Sequence, residues 1–148
     1  MNRHRFAICL SLLCALVGCA TGSVAERSIA LSNKELERRG SPVRWSATSF
    51  EDGVSLFERG LIGKPCATAA GEMLQRDVMA TIEKAEAQSG AASSPTLIET
   101  RCVSINKSQV NEVWVIARGD EEIAYTVALR SQPGGSTDIE VKGPWGNE

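Results

Sequence analysis

Histidine is almost missing from this chain. The 148 residues contain one, His4, inside an N-terminal stretch that reads as a removable leader. A mature protein without imidazole lacks the commonest general base and the commonest metal ligand. Ser-His-Asp and Cys-His nucleophile systems are thereby excluded, as is any zinc site built on imidazole. Clustered positive charge is missing too. Once Arg3 and Arg5 leave with the leader, the 16 basic residues fall to 14 against 18 acidic ones, a balance of −4 with the N-terminal amine blocked. That argues against nucleic acid, whose phosphates need Lys and Arg gathered on one surface. It also argues against anionic lipid as an electrostatic second anchor. No apolar run reaches the roughly 20 residues of a membrane-spanning helix, and no Cys-x-x-Cys redox pair is present.

What is there begins with the leader. Arg3, His4 and Arg5 precede an apolar run from Phe6 to Val17 and a small Gly18. A positive start, a short apolar stretch and a small residue at its end are the parts of an export signal. The signal closes on Leu16-Val17-Gly18-Cys19, which resembles the lipobox of bacterial lipoproteins. The resemblance implies that the Cys19 thiol receives a diacylglyceryl group, that residues 1–18 are removed and that the new amine is acylated. One acyl chain holds a protein only marginally, whereas two or three anchor it stably. Ala20 follows the cysteine where Asp would mark retention in the inner membrane, so the resemblance points to the periplasmic face of the outer membrane.

Cysteine arithmetic then closes. Cys9 and Cys14 lie in the leader and Cys19 takes the lipid, so Cys66 and Cys102 remain as an even pair in an oxidising compartment. A Cys66–Cys102 disulfide is the expectation.

Residues 19–41 read as the lipidated N-terminus and a tether, with a turn or two of helix from Lys34 to Arg39 halted by Gly40-Ser41-Pro42. Residues 42–148 form one domain by length. Val43 to Thr48 reads as a short strand. Ser49-Phe50-Glu51-Asp52 resembles a capping box, and Phe50, Val54 and Phe57 stand at helical spacing, which predicts a short helix to about Arg59. Gly60 to Pro65 reads as a loop. The strongest helix runs from Thr68 to Gln88, with Leu74, Val78 and Ile82 every fourth residue, Thr68 as N-cap and Gly90 as stop. From Thr96 the period becomes two, and strands are expected at 96–105, 111–118, 122–130 and 137–142. Arg118-Gly119-Asp120-Glu121 and Gln132 to Ser136 supply the turns. The fold class is α+β: a two-layer domain with an antiparallel meander of about four strands on one main helix, carrying one disulfide.

No motif reaches a catalytic signature. Asp120-Glu121-Glu122 and Glu51-Asp52 offer carboxylates for acid/base work, but a turn and a helix start are solvated places. Arg118-Gly119-Asp120 spells an adhesion tripeptide and is equally ordinary turn chemistry. Gly60-Leu61-Ile62-Gly63-Lys64 fails as a phosphate loop, because the spacing is wrong and Pro65 stands where Ser or Thr is needed. Trp114 and Ile116 lie opposite Val113, Val115 and Ala117. Either they fill the core, or they face outward while the valine face packs the helix. In the second case they form a partner-binding patch, and the outer sheet face around Trp114 and Ile116, with Trp145, is the binding surface expected here. Trp145 either plugs the sheet edge or joins that surface.

Glu112 to Gly119, Tyr125-Thr126-Val127 and Gly134 to Ile139 resemble the C-terminal hairpins of small proteobacterial envelope lipoproteins, over about a third of the chain, with no catalytic residue to carry across. The expected protein is a membrane-anchored lipoprotein that binds another protein or serves as a structural envelope component, with no enzyme activity, cofactor, metal or nucleic-acid partner. An inhibitor or immunity lipoprotein directed at a periplasmic hydrolase or toxin is one alternative. A histidine-free hydrolase using two carboxylates is the other.

Overall fold

A computed structural model describes residues 24–49, 55–90 and 94–146. Cys19, the leader and the Glu51-Asp52 pair lie outside the described residues. Among the described residues the architecture is α+β, with two helices and two antiparallel sheets of two and five strands. The expected single four-stranded sheet is corrected accordingly. No described helix is long and apolar enough to cross a membrane.

Helix α1, Val24–Arg38, takes up most of the expected tether. It is long because it has something to pack on. Ala25, Ile29, Asn33 and Leu36 recur on one face and are partly buried against the following strand, β1, Val43–Ser49. The Asn33 carboxamide donates to the Trp45 carbonyl and accepts from the Trp45 amide, both at 2.8 Å. Gly40, at φ 77°, ends the helix, with Ser41 N–H bonded to the Leu36 carbonyl and Gly40 N–H to that of Glu37. Arg38 and then Arg39 bond the Glu35 carboxylate and hold its pKa down at about 2.

Strand β2, Ser55–Leu61, pairs with β1 in register Val43↔Leu61 to Ser49↔Ser55. This overturns the expected helix to Arg59. Phe57 does not complete an apolar helical stripe. It sits opposite Ala47 with about half its surface exposed, as does Leu56 on the other face of the strand. Three apolar residues at i, i+4, i+7 were too few to outweigh pairing with a ready strand.

The larger sheet runs β3-β4-β5-β6-β7: Lys64–Pro65, Thr96–Ile105, Gln109–Arg118, Glu121–Ser131 and Thr137–Trp145. The last four make the expected meander, and β3 adds a two-residue edge. Helix α2, Glu72–Ser89, starts later than expected, at Gly71 without a side-chain cap, and stops at Gly90 in the left-handed region, φ 82°. Val78 and Ile82 on α2, with Ala70 before it, pack against Trp114, Ile116, Ile123, Tyr125, Val127 and Leu129.

That contact decides the faces. The two-residue turn at Gly119-Asp120 pairs Arg118 with Glu121, and hence Ile116 with Ile123 and Trp114 with Tyr125. The large side chains therefore share the helix side, and Val113 and Val115 point the other way. The latter are buried too. At that end the base of the small hairpin, Arg59 to Leu61, faces Val115 and Ala124 across a cavity of about 270 Å³.

Candidate binding surface on the outer sheet face

Beyond the hairpin base, the face of the five-stranded sheet away from α2 carries an open groove of about 270 Å³. Its floor is Asn111 on β5 with Thr126 and Ala128 on β6, and Val103 and Ile62 rise at one side. A ladder of polar contacts crosses this face from β4 to β7. Asn111 Nδ2 donates to Ser104 Oγ at 2.8 Å and Gln109 Nε2 to Asn111 Oδ1 at 2.6 Å. Arg130 Nε donates to Gln109 Oε1 at 3.3 Å, and Arg130 also pairs with Glu140. Lys142 closes the row on Glu140 at 2.8 Å. Lys142 and then Arg130 hold the Glu140 carboxyl below the usual range. The row fixes side chains that would otherwise be free, so a partner meeting it loses less side-chain entropy on binding.

Trp114 and Ile116 are not on this surface. Both are completely buried under α2, so the core reading holds and the exposed-patch reading is corrected. Trp145 is half-buried. Its Nε1 donates to the Lys142 carbonyl at 3.1 Å, and its ring shares a small cavity with Trp45, Leu36 and Arg59. It closes the seam between the hairpin and the sheet edge.

The other singled-out residues are occupied by the fold. The Arg118 guanidinium donates to Glu86 at 3.0 Å and to Glu121 at 2.6 Å, so the adhesion-like tripeptide turns its arginine inward. Asp120 and Glu122 are exposed. Gly63, at φ 82°, passes so close to β4 that a Cβ there would lie 2.7 Å from the Cys102 carbonyl oxygen. Arg101 clasps the same turn through the carbonyls of Ile62 and Gly63. Cys66 and Cys102 stand at disulfide-bonding distance, with Cα atoms 5.8 Å apart, and join the segment before α2 to β4. Their sulfurs and a Glu112 oxygen lie within 4.8 Å of one another, but sulfurs bonded to each other are not thiolate ligands.

Two carboxylates that matter to the fold escaped the sequence reading, Glu86 and Glu112, each about 2% exposed or less. Glu86 continues the Val78-Ile82 stripe of α2 by one more step of four and meets the Tyr125 hydroxyl and Arg118. Glu112 shares a strand face with Trp114 and accepts from its indole, from Thr68 Oγ1 and from the Ala69 amide, all at 2.7 Å. Both acids complete the core and stand in separate places, Glu86 against Tyr125 and Glu112 under Thr68. The stripe position and the parity with Trp114 were the cues that could have found them. Among the described residues no buried side-chain polar atom lacks a partner.

Burial first, and the Glu86 hydrogen bond second, push the Tyr125 hydroxyl well above the ordinary tyrosine range. A pKa raised by folding means stability that is complete below the unfolded value, about 10, and is lost as pH climbs past it. Tyr125 is the one tyrosine in the sequence. Its phenolate absorbance should therefore rise only together with alkaline unfolding followed by circular dichroism. Ionisation near pH 10 in an intact fold would show the hydroxyl to be open to solvent.

No family model matches the chain, and no curated protein or solved structure is matched by it.

Proposed function

We propose that this protein is a lipoprotein anchored through Cys19 to the periplasmic face of the outer membrane, and that its domain binds another protein through the groove on the outer sheet face. The anchor rests on the sequence from Arg3 to Cys19. The binding surface rests on one observation: beyond the hairpin base the outer sheet face carries an open groove in which a pre-ordered polar row runs beside a floor of Asn111, Thr126 and Ala128. Shape favours a protein over a small molecule: the groove is open, whereas ligand pockets enclose most of their ligand's surface. Interfaces of this kind combine a small desolvated centre with a polar rim.

The test is crosslinking of the lipidated protein in native envelope, comparing the wild type with Ala128→Arg, which fills the floor without touching the core. Ala128→Arg should abolish the dominant crosslink at unchanged melting temperature. A crosslink that survives in the folded variant removes the groove as the surface. A small secreted hydrolase as the partner selects the inhibitor or immunity role, and subunits of a large assembly select a scaffold role.

A further inference from the structure

Helix α1 has a second face. Opposite Ala25, Ile29, Asn33 and Leu36 stand Val24, Arg27, Leu31, Lys34 and Arg38, spaced by three and four so that they form one stripe along the helix. Val24 is 84% exposed and Leu31 71%, more than most other apolar side chains described. All the ionic groups on this stripe are basic. Glu35 lies beside it, and its carboxylate is bonded to Arg38 and Arg39, while Glu26 and Glu37 fall toward the flank of the packing face. The whole mature chain is acidic, yet this one surface presents cations with apolar side chains between them.

We propose that the outward stripe of α1 lies on the bilayer surface, with Arg27 and Lys34 toward anionic phospholipid headgroups and Val24 and Leu31 in the interface. The inference rests on the reading of Cys19 as acylated. That reading sets the geometry, because four residues separate Cys19 from Val24. Five Cα–Cα steps reach at most about 18 Å. An anchor in the headgroup layer therefore keeps the first turn of α1 beside the membrane whatever path those residues take. Apolar and basic residues on one helix face, with the other face occupied, is the arrangement of a helix lying in the interface plane. Anionic lipid attracts Lys and Arg only within about a Debye length of the surface, and the short connection supplies that proximity. The domain is then seated on its N-terminal helix rather than swinging on a tether.

The lipidated full-length protein can report this directly. After processing, Cys19 carries lipid and Cys66 is joined to Cys102, so Leu31→Cys introduces a single free thiol for a polarity-sensitive dye. Lys107→Cys, in the exposed turn between β4 and β5, is the control position. Both are reconstituted in phosphatidylcholine vesicles with and without phosphatidylglycerol. The expected result is a several-fold loss of aqueous quenching at position 31, restricted to phosphatidylglycerol vesicles, reversed by high salt, and absent at position 107. Arg27→Glu with Lys34→Glu should restore quenching at position 31 while the protein still floats with the vesicles. Equal quenching at both positions in a protein that floats with the vesicles overturns the seated helix and leaves the anchor standing. Protection at position 31 that needs added envelope protein overturns it in favour of a protein contact. Failure to float, with no acyl mass on Cys19, overturns the anchor and this inference together.

Discussion

Trp114→Ala should destabilise the domain by about 3–5 kcal/mol, the range for emptying a fully buried aromatic site. Two losses combine. The indole fills the middle of β5 beneath α2, across from Tyr125, in a core with no other residue of its size, so truncation leaves a cavity that rigid neighbours close only in part. The indole N–H is also one of three donors to the buried Glu112 carboxylate. Trp114→Phe separates the two effects, since it keeps much of the volume and removes the donor. A cost of about 1–3 kcal/mol is expected for that change. Domains of this kind are stable by about 5–15 kcal/mol in total, so the alanine variant should shift urea unfolding far toward low denaturant. A shift below about 1 kcal/mol would be the behaviour of a surface residue and would contradict the assignment of Trp114 to the core.

Opening the Cys66–Cys102 bridge should cost nearly as much. The cysteines are 36 residues apart, and the chain-entropy model gives about 4 kcal/mol for a loop of that length. The fold suggests that this is not offset elsewhere. Strand β3 contributes only two residue pairs to the sheet, at Lys64↔Cys102 and Pro65↔Arg101. Beyond them the segment leading to α2 is held by the bonds between Cys66 and Thr100 and by the reach of Thr68 and Ala69 to Glu112. Double replacement of Cys66 and Cys102 by Ala should lower the unfolding midpoint without changing the far-ultraviolet spectrum. Dithiothreitol should do the same to the wild type and nothing to the variant. Equal midpoints for the two proteins would mean that the loop is already ordered when unfolded.

The meander was legible because its signals are local. Alternation in β6, the change of period after Pro95 and two glycine turns set the four strands to within about three residues. Helix α2 was legible through Leu74, Val78 and Ile82. What failed was long-range. Val113 through Ile116 are apolar on both faces, and alternation reports only that a strand has two faces, not which one meets the helix. The answer lay one step further on, in the turn register that places Trp114 beside Tyr125, because bulky rows meet helices while Ala124, Thr126 and Ala128 leave a flatter outer face. The β1–β2 hairpin and the length of α1 were hidden for a related reason. Each is made by the other, through Asn33 and the seam at Trp45, and neither carries a strong period alone. The outer groove was not legible at all, since its polar row assembles residues from four strands.

The clasp between Asn33 and Trp45 has a meaning beyond holding a helix in place. A bare strand margin with free N–H and C=O groups is an adhesive strip, ready to add the same strip of another molecule. On β1 the carboxamide occupies such a donor–acceptor pair by imitating a neighbouring strand. Proteins confined to a two-dimensional surface meet one another at high effective concentration, which multiplies the hazard for any that are tethered there. If the domain is anchored as proposed, helix α1 would also keep each copy from zipping onto the next, and crowding at the surface would leave the molecules separate.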